Sequence, residues 1–331
     1  MMRNALVRLG HAVVGVDPYE VLRSNRLLNI WSWHSGALGT AFLAERHIRR
    51  SVGDQFFDLA VVDNGELLPP GAVEFLRARA GRVALFNGDN PFVGRDGRRW
   101  RTLLAALPHY DLFVTARQST ADVAPSHGAR RVLRVNFFAD EVLHRPAPPS
   151  EEERALYGSP VSFVGTWFPE RGPFMETLLR RGVPLKIIGP RWNKAANHDA
   201  IRHAVLPGYL NPKQYSAAVR SSAIAIAMLS KGNEDLHTSR SAEIPAMGIL
   251  MCAERTSEHL QMYREGEEAV FWSSADECAD ICLGLLADPD RIARIAEAGH
   301  KRVQTNDTWT GRTMERIVRE AVETGDGVHG A

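Results

Sequence analysis

Between two apolar runs of strand type lies a polar stretch whose residue types suit the handling of an anion. It contains Lys231, Glu234, Asp235, His237, Thr238, Ser239, Arg240 and Glu243, and closes on Pro245 and Gly248. Thr238 or Ser239 is a good helix N-cap, so the helix that follows would aim its first-turn amides and positive dipole end at whatever lies beyond the preceding strand. Such an end binds phosphate. Lys231, His237 and Arg240 add donors and positive charge, a set suited to a diphosphate held without a dedicated metal. Glu243 falls one turn into the helix, where a carboxylate can accept hydrogen bonds from a ribose diol. A capped, solvated helix start with i, i+3 charge pairs fits the same spacing, and spacing alone leaves both readings open.

Three other places carry chemistry-bearing residues. In Phe163-Val164-Gly165-Thr166 a buried-type strand ends on a glycine, which allows close backbone approach to a phosphate, and Arg171 follows within reach of the same anion. Plain strand-to-helix punctuation reads the same way. Asp89, in Asn87-Gly88-Asp89-Asn90-Pro91, sits just past a strand, where a carboxylate serves as general base or sugar-hydroxyl acceptor; the rival is a turn closed by its own polar side chains. Glu268 ends the acidic run Glu265-Gly266-Glu267-Glu268 and offers another carboxylate, although such runs are usually solvated. Trp31 and Trp33 with His34 suit either a sugar-stacking loop or, preferentially, aromatic core packing. Cys278 and Cys282, four apart on a helix, could offer two metal ligands, but no second Cys or His pair lies near them, and with Cys252 they read as core or partly exposed thiols.

These residues need a frame, and the alternation of short apolar runs with amphipathic segments predicts parallel α/β architecture. The first half should hold strands at 12–16, 59–63, 83–87, 112–115 and 132–135, with helices between them. Arg145 to Glu153 carries three prolines and three consecutive acids and reads as the linker between domains. The second half should hold strands at 161–165, 185–189, 223–228, 249–252 and 269–272, followed by C-terminal helices over 289–304 and 309–322. The resulting expectation is an N-terminal Rossmann-like domain over 1–144, a linker over 145–158, a C-terminal Rossmann-like domain over 159–323 and a frayed tail over 324–331, with both sheets facing one cleft. Arg3 to Gly10 reads as a helix entering a strand, with no strand and glycine turn ahead of it. The expectation is a start 15–20 residues late and a first sheet one strand short; a stop codon directly upstream of Met1 would overturn it.

Composition excludes several classes. Lysine and arginine total 40 against 39 acids in 331 residues, so there is no bulk field for a nucleic-acid backbone or an anionic membrane surface. No run approaches a membrane helix, and the N-terminus lacks a signal peptide's regions, so the expected location is cytoplasmic. No P-loop, nucleophile elbow, zinc helix or complete dinucleotide fingerprint occurs, so ATPase, hydrolase, zinc protease and dehydrogenase readings lose ground.

The second half resembles two-domain GT-B glycosyltransferases, most closely the CgeB-like spore-maturation family with its group 1-like C-terminal domain. The resemblance rests on Val164-Gly165-Thr166 with Pro169-Glu170-Arg171, Gly189-Pro190-Arg191-Trp192, Ser239 through Gly248, Gly266-Glu267-Glu268-Ala269-Val270-Phe271 and Trp309-Thr310-Gly311-Arg312. It implies a sugar moved from a nucleoside diphosphate, held by the second domain, to an acceptor held mainly by the first. A nucleotide sugar is then the co-substrate, with no separate cofactor and no metal. Glu243 matches the second glutamate of the paired-glutamate motif, the ribose contact. Its partner falls at Asp235, with Glu234 beside it, a departure from the pattern that bears on the donor-sugar contact and on a retaining mechanism. Under this reading Gly165, Arg171, Lys231, His237, Thr238, Ser239, Arg240, Glu243 and Glu268 bind the donor, while Asp235, Glu234 and Asp89 serve the reaction. Other classes with the same fold are a sugar-nucleotide isomerase and a catalytically silent scaffold.

Overall fold

The computed structural model describes residues 1–23 and 25–322. Its strands are β1 (Phe57–Asp63), β2 (Ala80–Asn87), β3 (Leu112–Thr115), β4 (Val132–Arg134), β5 (Val161–Val164), β6 (Leu185–Gly189), β7 (Val205–Pro207), β8 (Ile224–Ala227), β9 (Leu250–Glu254) and β10 (Val270–Trp272). Every pairing is parallel, in one sheet of order β1-β2-β3-β4 and another of order β10-β9-β8-β5-β6-β7. The fold is α/β with two parallel sheets, as the apolar runs predict. The 324–331 tail lies outside the described residues.

The chain divides into two compact units. The first contains Met1–Asn136, Ser230–Asp235 and the stretch from Gly311 onward; the second contains Phe137–Leu229 and Leu236–Thr310. The first change of unit along the chain falls at Asn136–Phe137. The proline-rich stretch instead leads into a helix of the second unit, Glu151–Tyr157, started by a reciprocal capping box between Ser150 and Glu153. The terminal helix Thr310–Val322 belongs to the first unit from Gly311 onward.

In the first unit, β2 and β3 are buried along nearly their whole length, as parallel strands covered on both faces must be. Val83, Leu85 and Phe113 face the helices Ala41–Val52, Pro70–Arg77 and Arg101–Ala106 through Ile48, Val73 and Leu103. Residues 12–16 form no strand, contrary to expectation, and Val14 is exposed. A strand exists through its ladder, and no described strand pairs with this stretch.

In the second unit, successive residues of the central strands serve opposite layers. Ile224 and Ile226 of β8 pack with Phe163 and Ile187 beneath the Arg171–Arg180 and Ala275–Leu286 helices, whereas Ala225 and Ala227 pack with Ile188 and Met251 beneath the Pro212–Arg220 and Ser239–Ala246 helices. The chain builds β5, β6 and β7 outward, then returns to lay β8 on the other side of β5. That reversal makes the carboxyl ends of β5 and β8 a topological switch point, where open α/β sheets bind ligands. The polar stretch singled out above begins at the end of β8.

Candidate functional site

At the switch point the Ser239–Ala246 helix starts with Thr238 in extended backbone (φ −138°, ψ 178°). Its start is pinned by a relay. Thr238 N–H donates to Ser241 Oγ at 3.0 Å, Ser241 Oγ meets His259 Nε2 at 2.7 Å, and His259 Nδ1 meets the Glu254 carbonyl at 2.6 Å. A carbonyl only accepts, so Nδ1 carries the ring proton and Nε2 accepts from the serine. Burial lowers the His259 imidazole to about 4, keeping it neutral. Stability from this ring is complete above the ordinary value of 6.5 and is lost as pH falls from there toward 4, about 3 kcal/mol in all. Urea midpoints measured across that interval should fall steeply in the wild type and more gently in His259→Gln.

Thr238 Oγ1 is buried and faces the Ser241 amide in a reciprocal capping box, and that amide donates to the Thr238 carbonyl at 2.9 Å. Arg240 reaches back to the end of β5, where its Nε donates to the Val164 carbonyl at 2.9 Å. Glycines make room for this: a Cβ on Gly165 would lie 3.0 Å from Arg240 Nη2, and one on Gly189 (φ +147°) only 2.3 Å from the Gly165 oxygen.

Glu243, one turn into the helix, accepts a 2.7 Å hydrogen bond from the Tyr215 hydroxyl. His144 stands on its other side. Asp140 N–H donates to His144 Nδ1 at 3.0 Å, so the neutral ring carries its proton on Nε2, 3.9 Å from Glu243 Oε1. Burial lowers this imidazole as well, and burial with the adjacent carboxylate holds the Tyr215 phenol well above its usual range. The carboxylate is thus held in place with capacity left for another donor.

Several predicted donor residues are spoken for within their own unit. Gly165 N–H donates to the Ile188 carbonyl and its oxygen accepts from Trp192 Nε1. Arg171 is buried, clamps the Thr166 and Leu229 carbonyls at 2.7 and 3.1 Å, and lies 4.5 Å over the Phe168 ring. His237 accepts from Phe137 N–H on Nε2 and pairs through Nδ1 with buried Glu258. Glu268 closes the 264–269 turn, accepting from Arg264 N–H at 2.8 Å and Arg264 Nη2 at 3.0 Å. Arg171, His237 and Glu268 make all of these contacts within the second unit.

The remaining predicted residues belong to the first unit. Asp235 forms a buried ion pair with Arg117, whose Nε is 2.6 Å away, and Arg117 also holds the Gly88 carbonyl. Asp89 accepts from Asn233 Nδ2 at 3.2 Å and Arg99 Nη1 at 3.4 Å. Arg99 continues to buried Glu66, which also takes the Tyr19 hydroxyl. Lys231 and Glu234 are exposed, the latter at φ 57°. Sequence reasoning missed Tyr19, Glu66, Arg99 and Arg117. The only available signal was Asn64-Gly65-Glu66 directly behind a strand, a turn ending in a carboxylate. Trp31 and Trp33 lie on a helix, Arg26–Ser35, and are 54% and 41% exposed, so they form neither the loop nor the core expected of them.

The three cysteines meet in the second unit's core, their sulfurs all within 4.8 Å of one another and each fully buried. Hydrogen bonding to the other two sulfurs, with burial, holds the Cys252 thiol far above its ordinary range. A water-soluble disulfide reagent should therefore titrate no thiol in the folded protein and three in denaturant. Early reaction of any of them would contradict this burial.

A family model described as glycosyl transferase-like matches residues 171–319. No curated protein matches the chain in sequence. Among solved structures it is similar to sucrose-phosphate synthase from Thermosynechococcus elongatus, at 12% identity and TM-score 0.67 over 98% of this chain and 92% of that one. It is also similar to Anabaena HepE in complex with UDP and glucose, at 12% identity and TM-score 0.61 over 87% and 80%. A third is the E. coli trehalose-6-phosphate structure bound with UDP-2-fluoro glucose, at 14% identity and TM-score 0.60 over 94% and 86%. The fold is that of these GT-B proteins, and the family match supports a role in sugar transfer. Among the described residues no helix is long and apolar enough to cross a membrane.

Proposed function

We propose that the chain transfers a sugar from a nucleoside-diphosphate donor to an acceptor hydroxyl, as a CgeB-like glycosyltransferase. The observation that carries this is the helix start held on the switch point by the Thr238–Ser241–His259 relay, one turn before a positioned carboxylate. The first-turn amides, Thr238 Oγ1, Ser239 and the Arg240 guanidinium take the diphosphate. Glu243 takes the ribose hydroxyls. As the bond from the anomeric carbon to the diphosphate breaks, charge grows on the leaving oxygen and meets donors already in place, which lowers the barrier without reorganisation. The chain's own cationic groups supply this compensation, so the reading is metal-independent, with the nucleotide sugar as co-substrate. Of the paired-motif residues, Glu234 is left for the donor sugar, Asp235 being held by Arg117; Lys231 adds charge beside it. Asp89, backed by Arg99, is the acceptor-side carboxylate.

The test is a thermal-shift screen against uridine, guanosine, thymidine and adenosine diphosphate sugars, beginning with UDP-glucose because the HepE structure holds UDP and glucose. One nucleotide class should raise the melting temperature, by an amount unchanged in EDTA. No shift with any donor would favour a silent scaffold. A rearranged sugar formed without acceptor would favour an isomerase.

A further inference from the structure

The chain has three cysteines in 331 residues, and all three converge on one point of the second unit. Cys278 and Cys282 stand one turn apart on one face of the Ala275–Leu286 helix, and Cys252, the middle residue of β9, meets that face from the sheet. Cys252 Sγ and Cys278 Sγ are 3.8 Å apart, and all three sulfurs lie within 4.8 Å of one another. Buried cysteine often serves as a small apolar filler, but filling a core does not require the sulfurs to meet.

The spacing selects the occupant. A metal–thiolate bond of about 2.3 Å sets three sulfurs around one ion about 4.0 Å apart, within a sub-ångström contraction of where these stand. A disulfide would draw two sulfurs to about 2.05 Å and leave the third unused. We propose that Cys252, Cys278 and Cys282 bind one cuprous ion, which clamps β9 to the Ala275–Leu286 helix. Soft thiolates select Cu+ or Zn2+. Structural zinc takes four ligands, and no fourth His, Cys, Asp or Glu joins this group among the described residues, whereas a cuprous ion is complete with three sulfurs. The surrounding layer, which includes Ile226, Val270 and Leu285, is apolar. It covers the sheet face opposite the Ser239–Ala246 helix, so the ion is a structural clamp separate from donor binding.

The experiment incubates the reduced full-length chain, without oxygen, with tetrakis(acetonitrile)copper(I) in urea just below the unfolding transition, where the core opens transiently. After the urea is removed, one copper per chain should resist bathocuproine disulfonate, and X-ray absorption should find three sulfurs at about 2.3 Å. The loaded chain should also unfold at higher urea than the metal-free chain. Cys282→Ala should weaken copper retention at least about 100-fold. Should that variant fold poorly, the sulfur count in the wild type still decides. Failure of the wild type to retain copper overturns the proposal, as do fewer than three sulfur neighbours or full retention in a folded Cys282→Ala. Tighter retention of zinc than of copper overturns the choice of ion.

Discussion

Asp235→Asn is expected to cost about 3–5 kcal/mol of stability, a drop of roughly 10 °C in melting temperature for a domain of this size. The two carboxylate oxygens are divided between two jobs: Oδ1 pairs with Arg117, whose other nitrogen holds the loop before Asp89, and Oδ2 accepts from Ser230 N–H at 3.2 Å. Both charged side chains are almost fully buried. Removing the negative charge alone strands the guanidinium in a place where water cannot compensate it, and this exceeds the modest net worth of the intact pair. Glu234→Ala, one residue away on an exposed side chain, should stay within about 0.5 kcal/mol. Urea unfolding of the two variants separates the roles. Normal stability of Asp235→Asn would mean that this residue is available to a substrate after all, and its structural assignment would fail.

Glu243→Ala should weaken nucleotide-sugar binding by about 10- to 100-fold, the worth of a hydrogen bond to a charged group lost from both ribose hydroxyls. Calorimetric titration of the donor identified by the screen would read it directly. Tyr215→Phe keeps the carboxylate and removes its anchor, so a weaker effect of about five-fold is expected, carried by looser positioning. Equal affinity for wild type and Glu243→Ala would remove the ribose assignment while leaving the helix-start anion site intact. A Thr238→Val variant reports on that site separately, through binding of the diphosphate alone.

How far these groups could be seen in advance follows from how local their causes are. The strands Leu112–Thr115 and Leu185–Gly189 and the helix Pro212–Arg220 sit where their patterns place them, because apolar runs, an asparagine cap and an N1 proline act within a few residues. Val205–Pro207 escaped notice because three half-exposed edge residues carry no periodicity. Residues 12–16 have the composition of a strand but no described partner, and composition says nothing about pairing. The Arg26–Ser35 helix went unread for a different reason: its outward face is apolar, so it lacks the alternation that marks an ordinary surface helix. In the site, Thr238, Ser239, Arg240 and Glu243 follow from one strand–helix junction and were legible. Their supports were not. His259 and Tyr215 lie 18 and 28 positions from the residues they hold, and Arg117 lies 118 from Asp235. The same holds for the partners of Arg171 and His237, at Leu229 and Glu258, which no local spacing announces.

The serine–histidine relay behind Thr238 also bears on the thermodynamics of ligand capture. A helix end that frays in the free protein must be ordered each time a ligand arrives, and that lost conformational freedom subtracts from affinity. Here the Thr238 amide is tied through Ser241 and the buried His259 ring to the backbone of β9, so the ordering is complete when the chain folds. Donor capture at this end should therefore show little unfavourable entropy from the protein, and the Thr238 amide should exchange with solvent as slowly in the free chain as in the complex.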